Sequence, residues 1–335
     1  MVQYRYNIFH VVGALTPPIG KGFAPPRGRS HCDWTTTFGP NILHPRPLRP
    51  IIVCADDYGL SAGVSQAILE LISAGRISAT SCMTSLPGWA RDAAALSRQV
   101  SMTPADIGLH LTLTDHAPLH RSCVLARDGR LPSLHGLLAR ALSRRLKPGH
   151  VIDEVRAQLD AFEDAWGAPP DHIDGHQHVH LLPGIRDALL AELIRRYPLG
   201  RVWVRDCVEA PVRSLRRGES VPKSMLINLL GLGLRHDLRR AGIRANDGFS
   251  GLHDFDSGKP FSTKMRSFIG NLGPRPLVHV HPGRVDAELR ACDTLTTPRE
   301  AELAYLISDT YLHDLTTAGL KPARMTDLMN EPILH

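Results

Sequence analysis

Two aspartates stand side by side at the end of an apolar run, in "IIVCADDYG" at residues 51 to 59. One Asp after a buried strand suits the turn that follows. A second, adjacent carboxylate repels the first and, in an extended chain, points to the opposite side. At the mouth of a pocket, a cation or a shared proton relieves that repulsion. Partners for such a cation occur in three other segments. His110 lies in "DIGLHLTLT", "HIDGHQHVH" at 172 to 180 packs four of the chain's 18 histidines into nine residues, and "VHVHPG" carries His279 and His281. Two imidazoles and one carboxylate from different strand ends make an N2O ligand set with open positions for water and substrate. A divalent metal held that way polarises a carbonyl and lowers the pKa of water. One Asp then remains free as a base and another His as an acid. Taken singly, each feature has a plainer reading: the Asp pair as a turn, a lone His as a hydrogen-bonded core residue, a His-rich loop as solvated surface.

The 335 residues, 43% hydrophobic and 21% charged, suit one large domain or two small ones with a well-filled core. The formal charge is +6, but only six of the 39 basic residues are Lys, and the arginines are scattered through helical stretches such as "ALSRRLKPG". With no aromatic interleaving and no recognition motif, nucleic acid is not the expected partner. The six cysteines (Cys32, Cys54, Cys82, Cys123, Cys207, Cys292) form no C-x-x-C pair. That spacing argues against a zinc ribbon or disulfide scaffold and fits a reducing, cytoplasmic setting. No apolar run reaches the roughly 18 residues of a membrane span. Residues 1–48, rich in Pro and Gly and without a period, read as a loose extension and a poor signal peptide.

Beyond residue 48 strand and helix signals alternate. "IIVCA" leads to a helix in which Val64, Ile68, Leu71 and Ile72 share a face, Ser61 caps the start and Gly75 ends it. "ATSCMTS" reads as a strand and "PGWARDAAALSRQV" as a helix. In "DIGLHLTLT", Ile107, Leu109, Leu111 and Leu113 take one side, leaving His110 on the other. A helix with Val155, Leu159, Phe162 and Trp166 on its stripe follows, then a strand at "DHIDG", a helix at "GIRDALLAELIRRY" and a strand at "RVWVRD". Helical material at 221 to 241, a strand at "PLVHV" and a helix from "TPREAELAYLI" complete the pattern. Strands separated by helices are parallel strands with crossover connections, so the expected fold is α/β, a barrel-like domain with its chemistry at the carboxyl ends of the strands. Segments 115 to 133 and 242 to 260 read as loops that set specificity.

"IIVCADDYGLSAGVSQAILE", "IGLHLTLT", "HIDGHQHVHLLPGI" and "LVHVHPG" resemble, in this order, the motifs of the YdjC-like carbohydrate deacetylases, a family that includes chitooligosaccharide deacetylase and a deacetylase associated with hopanoid biosynthesis. The resemblance runs from about residue 49 to 325, leaving 326–335 as a tail. It implies an irregular (β/α) barrel of the kind shared by glycoside hydrolases and deacetylases, with a divalent metal ion, Mg²⁺ or Zn²⁺. By resemblance Asp57, His110 and His176 are the metal ligands, Asp56 the general base and His281 the general acid. The implied reaction is removal of an acetyl group from an N-acetylated sugar, on an oligosaccharide or a glycolipid head group. Tyr58 stands where many members have Phe, and Gly175 and Gln177 where the chitooligosaccharide enzyme has Ser and His; these departures bear on the substrate rather than the reaction. Asp174 reads either as an orienting neighbour of a ligand or as a strand end, Arg205 as a surface or packing residue, and His116, His120 and His253 as loop residues. The rival readings are a metal-independent glycosidase using Asp56 with a second carboxylate, and a catalytically inactive sugar-binding protein. The sequence leaves the assembly state open, a homodimer being one option.

Overall fold

The computed structural model describes residues 47–255 and 258–330. The expected extension therefore lies, but for its last two residues, outside the described part. Eight strands form one sheet: β1 (Arg49–Tyr58), β2 (Ala79–Cys82), β3 (Asp106–Leu111), β4 (His172–Gly175), β5 (Trp203–Val204), β6 (Phe249–Ser250), β7 (Leu277–Val280) and β8 (Leu320–Pro322). Their order is β5-β4-β3-β2-β1-β7-β6, with β8 beside the start of β1, and every named pairing is parallel. Ile51 to Ala55 are wholly buried, as expected of a central parallel strand covered on both faces.

The crossover helices follow the sequence pattern. In the helix Ala62–Ser73, the Ser61 hydroxyl accepts from the Val64 amide at 3.3 Å, and Gly75 takes the left-handed conformation, φ 64°, that ends it. The helices Pro87–Met102 and Ile152–Trp166 lock together through Trp89, which stacks on Phe162 at 5.1 Å and donates its indole N–H to the Ala161 carbonyl.

The ring closes in a segment that the sequence reading assigns to a loop. Val204 of β5 forms a parallel bridge with Ala245, and four residues later the same segment becomes β6 against β7. Asn246 secures the seam: its side chain accepts from the Asp206 amide and donates to the carbonyls of Asp206 and Gly248, all within 3.0 Å. A two-residue strand between Gly248 and Gly251, with φ of 111° and 110°, leaves no periodic trace in the sequence. The barrel is accordingly irregular, with a full ladder on one side and a single bridge on the other.

The expected tail begins inside a short helix, Met325–Asn330. Met325 is buried, and the Thr326 amide donates to Asp106 Oδ2, which also accepts from the Trp203 indole. Burial raises the Asp106 pKa from its ordinary value of 3.8 to about 6. The unfolded chain therefore ionises first as pH rises, so stability is full below about pH 4, falls between pH 4 and 6, and stays reduced above. Asp106→Asn keeps the acceptor for both donors and is expected to raise stability at pH 7 by about 1–3 kcal/mol. Urea unfolding at pH 7 and pH 4 checks this; equal gains at both pH values would count against it.

Candidate active site

Adjacent residues of a regular strand face opposite ways, yet both Asp56 and Asp57 line one cavity of about 620 Å³ at the carboxyl end of the sheet. A bulge makes this possible. The register of β1 against β2 slips between Ala55 and Tyr58, and Asp57 sits at φ 73°, in the left-handed region that Asp enters more readily than most side-chain-bearing residues.

Asp57 is the hub. Its Oδ1 lies 3.2 Å from His110 Nε2 and 3.1 Å from His176 Nδ1, and its Oδ2 accepts from Arg299 at 2.6 Å. His110 comes from the inward side of β3, and its other nitrogen meets Asp174 Oδ1 of β4 at 2.6 Å. His176 is the first residue past β4. Gln177 and His178, at φ 52° and 59°, then turn the chain away, so that His178 packs edge-on against Phe249 and His279 instead. Of the remaining histidines in this run, His180 is buried with Nε2 toward the Arg205 carbonyl, and His172 stacks on Trp203 beneath the site. Gly108 has no side chain because none fits: a Cβ there would fall 2.4 Å from the His172 ring.

Donor atoms of Asp57, His110 and His176 all lie within 4.8 Å of one another. Ligands bonded to one ion at about 2.0–2.2 Å stand roughly 3.0–3.4 Å apart, which the 3.1 and 3.2 Å separations match. An N2O set of this kind suits a divalent cation. Burial disfavours charge on His110, but the Asp174 carboxylate, with Asp57 beyond it, outweighs this and pushes the imidazole up to about 10. A metal held here would take the place of the proton on Nε2, with Nδ1 oriented by Asp174. A second buried cluster, Cys54, His172 and Asp174, has metal-like spacing, but the Arg205 guanidinium already fills it.

Asp56 faces a different partner. Arg205, fully buried, donates to its two oxygens at 2.7 and 2.6 Å and also reaches Asp174 Oδ2 at 2.5 Å and Cys54 Sγ at 3.1 Å. Arg205 is thus no surface residue; it is the counter-ion that lets Asp56 and Asp174 stay charged in the core. Burial pushes Asp56 up, but the Arg205 charge and hydrogen bonds prevail and hold it well below the usual carboxylate range. Ser81 Oγ sits between the halves of the site, 3.2 Å from Asp56 and 3.1 Å from His110. His281 Nε2 lies 4.0 Å from Asp56, and its buried Nδ1 has no partner among the described residues. Burial lowers the His281 pKa to about 4.

The helix Thr297–Leu306 braces both halves. Arg299 holds Asp57 and also Asp293; one turn on, Glu302 accepts from the His281 amide at 2.6 Å and contacts His253 Nε2 at 3.1 Å. His253, read as a loop residue, does lie outside any strand or helix but is buried, with Lys264 at its other nitrogen. His116 is half-buried in a loop, its ring 6.2 Å from that of His176, and the His120 amide caps onto Glu154. The sequence reading missed Arg299 and Glu302. Their signal was an Arg and a Glu falling on the same helical stripe as Leu303 and Leu306.

The family model described as "YdjC-like protein" matches residues 50–317. A chitooligosaccharide deacetylase of Serratia marcescens is 41% identical over 143 residues, 40% of this chain and 52% of that protein. A human carbohydrate deacetylase is 33% identical over 183 residues, covering 50% of this chain and 55% of that one. The chain thus spans about half the length of these two relatives. A chitooligosaccharide deacetylase of Yersinia pestis (strain Pestoides F) aligns over 83% of this chain and 98% of its own length at 27% identity. Among solved structures, a candidate cellobiose-phosphate cleavage protein of Enterococcus faecalis V583 shares the fold, with a TM-score of 0.65 at 22% identity over 84% of this chain and 99% of that one.

Proposed function

This chain belongs to the YdjC-like family, and we propose that it hydrolyses the acetyl amide of an N-acetylated sugar, with a divalent cation held by Asp57, His110 and His176. The observation that carries this reading is the meeting of three donor atoms at ion-ligand spacing on the wall of a sugar-sized cavity, with Asp56 beside them. Bound there, a cation supplies Lewis acidity toward a carbonyl oxygen and makes water more acidic. Two imidazoles favour Zn²⁺ or another transition ion over Mg²⁺.

Asp56 accepts the proton of the attacking water. Arg205 keeps it ionised and fixes its orientation, at the cost of basicity. His281, neutral at pH 7, becomes an acid toward the departing amine when a proton reaches it, and it stands on the wall of the same cavity as Asp56, 4.0 Å away. The metal-independent glycosidase gains no support, since it needs a carboxyl held protonated: Asp56, Asp57 and Asp174 are all held low, and Asp293 pairs with Arg299.

The deciding experiment is acetate release from N-acetylglucosamine oligosaccharides and N-acetylglucosaminyl lipids, with and without chelator and with added Zn²⁺, Co²⁺ or Mg²⁺. Turnover should vanish on chelation and return with metal. Full activity in chelator sinks the reading, and tight sugar binding without acetate release at any metal points to an inactive binding protein.

A further inference from the structure

We infer that the helix Val221–Ala241 docks this protein on an anionic lipid surface. Unlike an ordinary surface helix, it carries apolar residues on both its buried and its solvent side. The buried side carries Ser224, Asn228 and Gly231 beside Ile227, Leu234 and Leu238, whereas the solvent side carries Leu226, Leu229 and Leu232, exposed by 47%, 67% and 53%. At 100° per residue these leucines fall on one arc with Pro222, Met225 and Gly233, and no charged residue interrupts that arc over its first three turns. On the next turns the same arc carries His236, Arg239 and Arg240, all exposed.

Charge selects the occupant. Exposed Arg216, Arg239 and Arg240 have no ion-pair partner among the described residues, and Lys223 lies over the Phe255 ring, whereas Glu219 and Asp237, the acids of this stretch, are engaged by Lys259 and Arg186. A second copy pairing through this face would set cations against cations. An anionic bilayer receives the leucines among its acyl chains and the cations at its headgroups. Leu226 and Lys223 also line the candidate active-site cavity, so docking here turns the mouth of that cavity toward the lipid. The docking itself depends on no step of the proposed reaction.

Vesicle flotation of the full chain tests it, with phosphatidylcholine vesicles containing or lacking phosphatidylglycerol. The protein should float with anionic vesicles at least tenfold more strongly than with neutral ones. Leu229→Ser/Leu232→Ser, two exposed positions off the cavity wall, should weaken flotation at least tenfold with an unchanged melting temperature. Arg239→Gln/Arg240→Gln should remove the preference for anionic lipid. No flotation overturns the proposal, and so does salt-sensitive flotation that survives the double serine change, which is charge attraction alone. Self-association in ultracentrifugation that the serine variant abolishes, with no vesicle binding, assigns the face to a second copy instead.

Discussion

Asp56→Asn should leave the protein folded and able to load metal while kcat falls by about 10²–10⁴-fold. Asn matches Asp in shape and still accepts a hydrogen bond from Arg205, but it cannot take a proton from water. Arg205 does not become an orphan charge, because Asp174 remains beside it at 2.5 Å. Asp57→Asn should behave differently. It removes the charged member of the Asp57–His110–His176 set, so metal affinity falls first, and excess metal should restore part of the rate. Metal content by mass spectrometry, read beside kcat over a metal titration, separates the two variants. If Asp56→Asn is the one rescued by metal and Asp57→Asn stays loaded and inert, the roles must be exchanged. If both remain loaded and fully active, neither carboxylate takes part in turnover.

Arg205→Ala is the change expected to cost most stability. It takes away the guanidinium that binds Asp56 and Asp174 together in a buried space and leaves His110 as the cation nearest to them, the kind of broken ion pair that costs about 3–5 kcal/mol. The sign with pH is fixed by the depressed pKa values. Carboxyls held low in the folded state contribute stability above their unfolded pKa and lose it as pH falls. In the parent that contribution stays intact down to about pH 4; in the variant, where Arg205 no longer opposes burial, the same carboxyls take up protons at higher pH, so the deficit should narrow as pH falls from 7 to 4. Arg205→Lys should recover only part of the loss, because a single ammonium cannot reproduce the forked contact with both Asp56 oxygens. Urea unfolding of both variants across that range is the measurement. A full-size deficit that persists at pH 4 would mean that the guanidinium matters for its volume rather than its charge.

The four segments that meet at the site were legible because their residue types are unusual where they stand: adjacent acids after an apolar strand, an imidazole opposite a row of leucines, a histidine run after a short strand, and two histidines alternating with valine in "VHVHPG". The buried cations were not. Arg205 is one arginine among many in an Arg-rich chain, and only its fully buried position distinguishes it. Arg299 and Glu302 sit on a helix remote in sequence, where a charged residue on an apolar stripe is easily read as noise. The bulge that turns Asp56 and Asp57 into one cavity left no mark either, since Asp tolerates a positive φ without needing a glycine. On the fold side, the long helices announced themselves through periodicity and β1 through its unbroken apolar run. β5 fell within the strand read at "RVWVRD", whereas β6, two residues flanked by glycines, left no pattern.

The place of β1 at the centre of the sheet also governs how the chain reaches this structure. β2 follows β1 within a few tens of residues, but β7, its other neighbour, comes after most of the barrel has been made, and Arg299 lies 242 residues beyond the carboxylate it neutralises. A growing chain can assemble β1 to β5 early, leaving β1 as a bare edge of Ile51, Ile52 and Val53 with Asp57 unpaired beside it. Pairings this distant in sequence are slow to form, and an apolar edge kept waiting invites intermolecular strand addition. The strand that presents Asp56 and Asp57 is thereby the one whose protection arrives last, so a refolding experiment should find aggregation competing with recovery mainly before the β7 segment has docked.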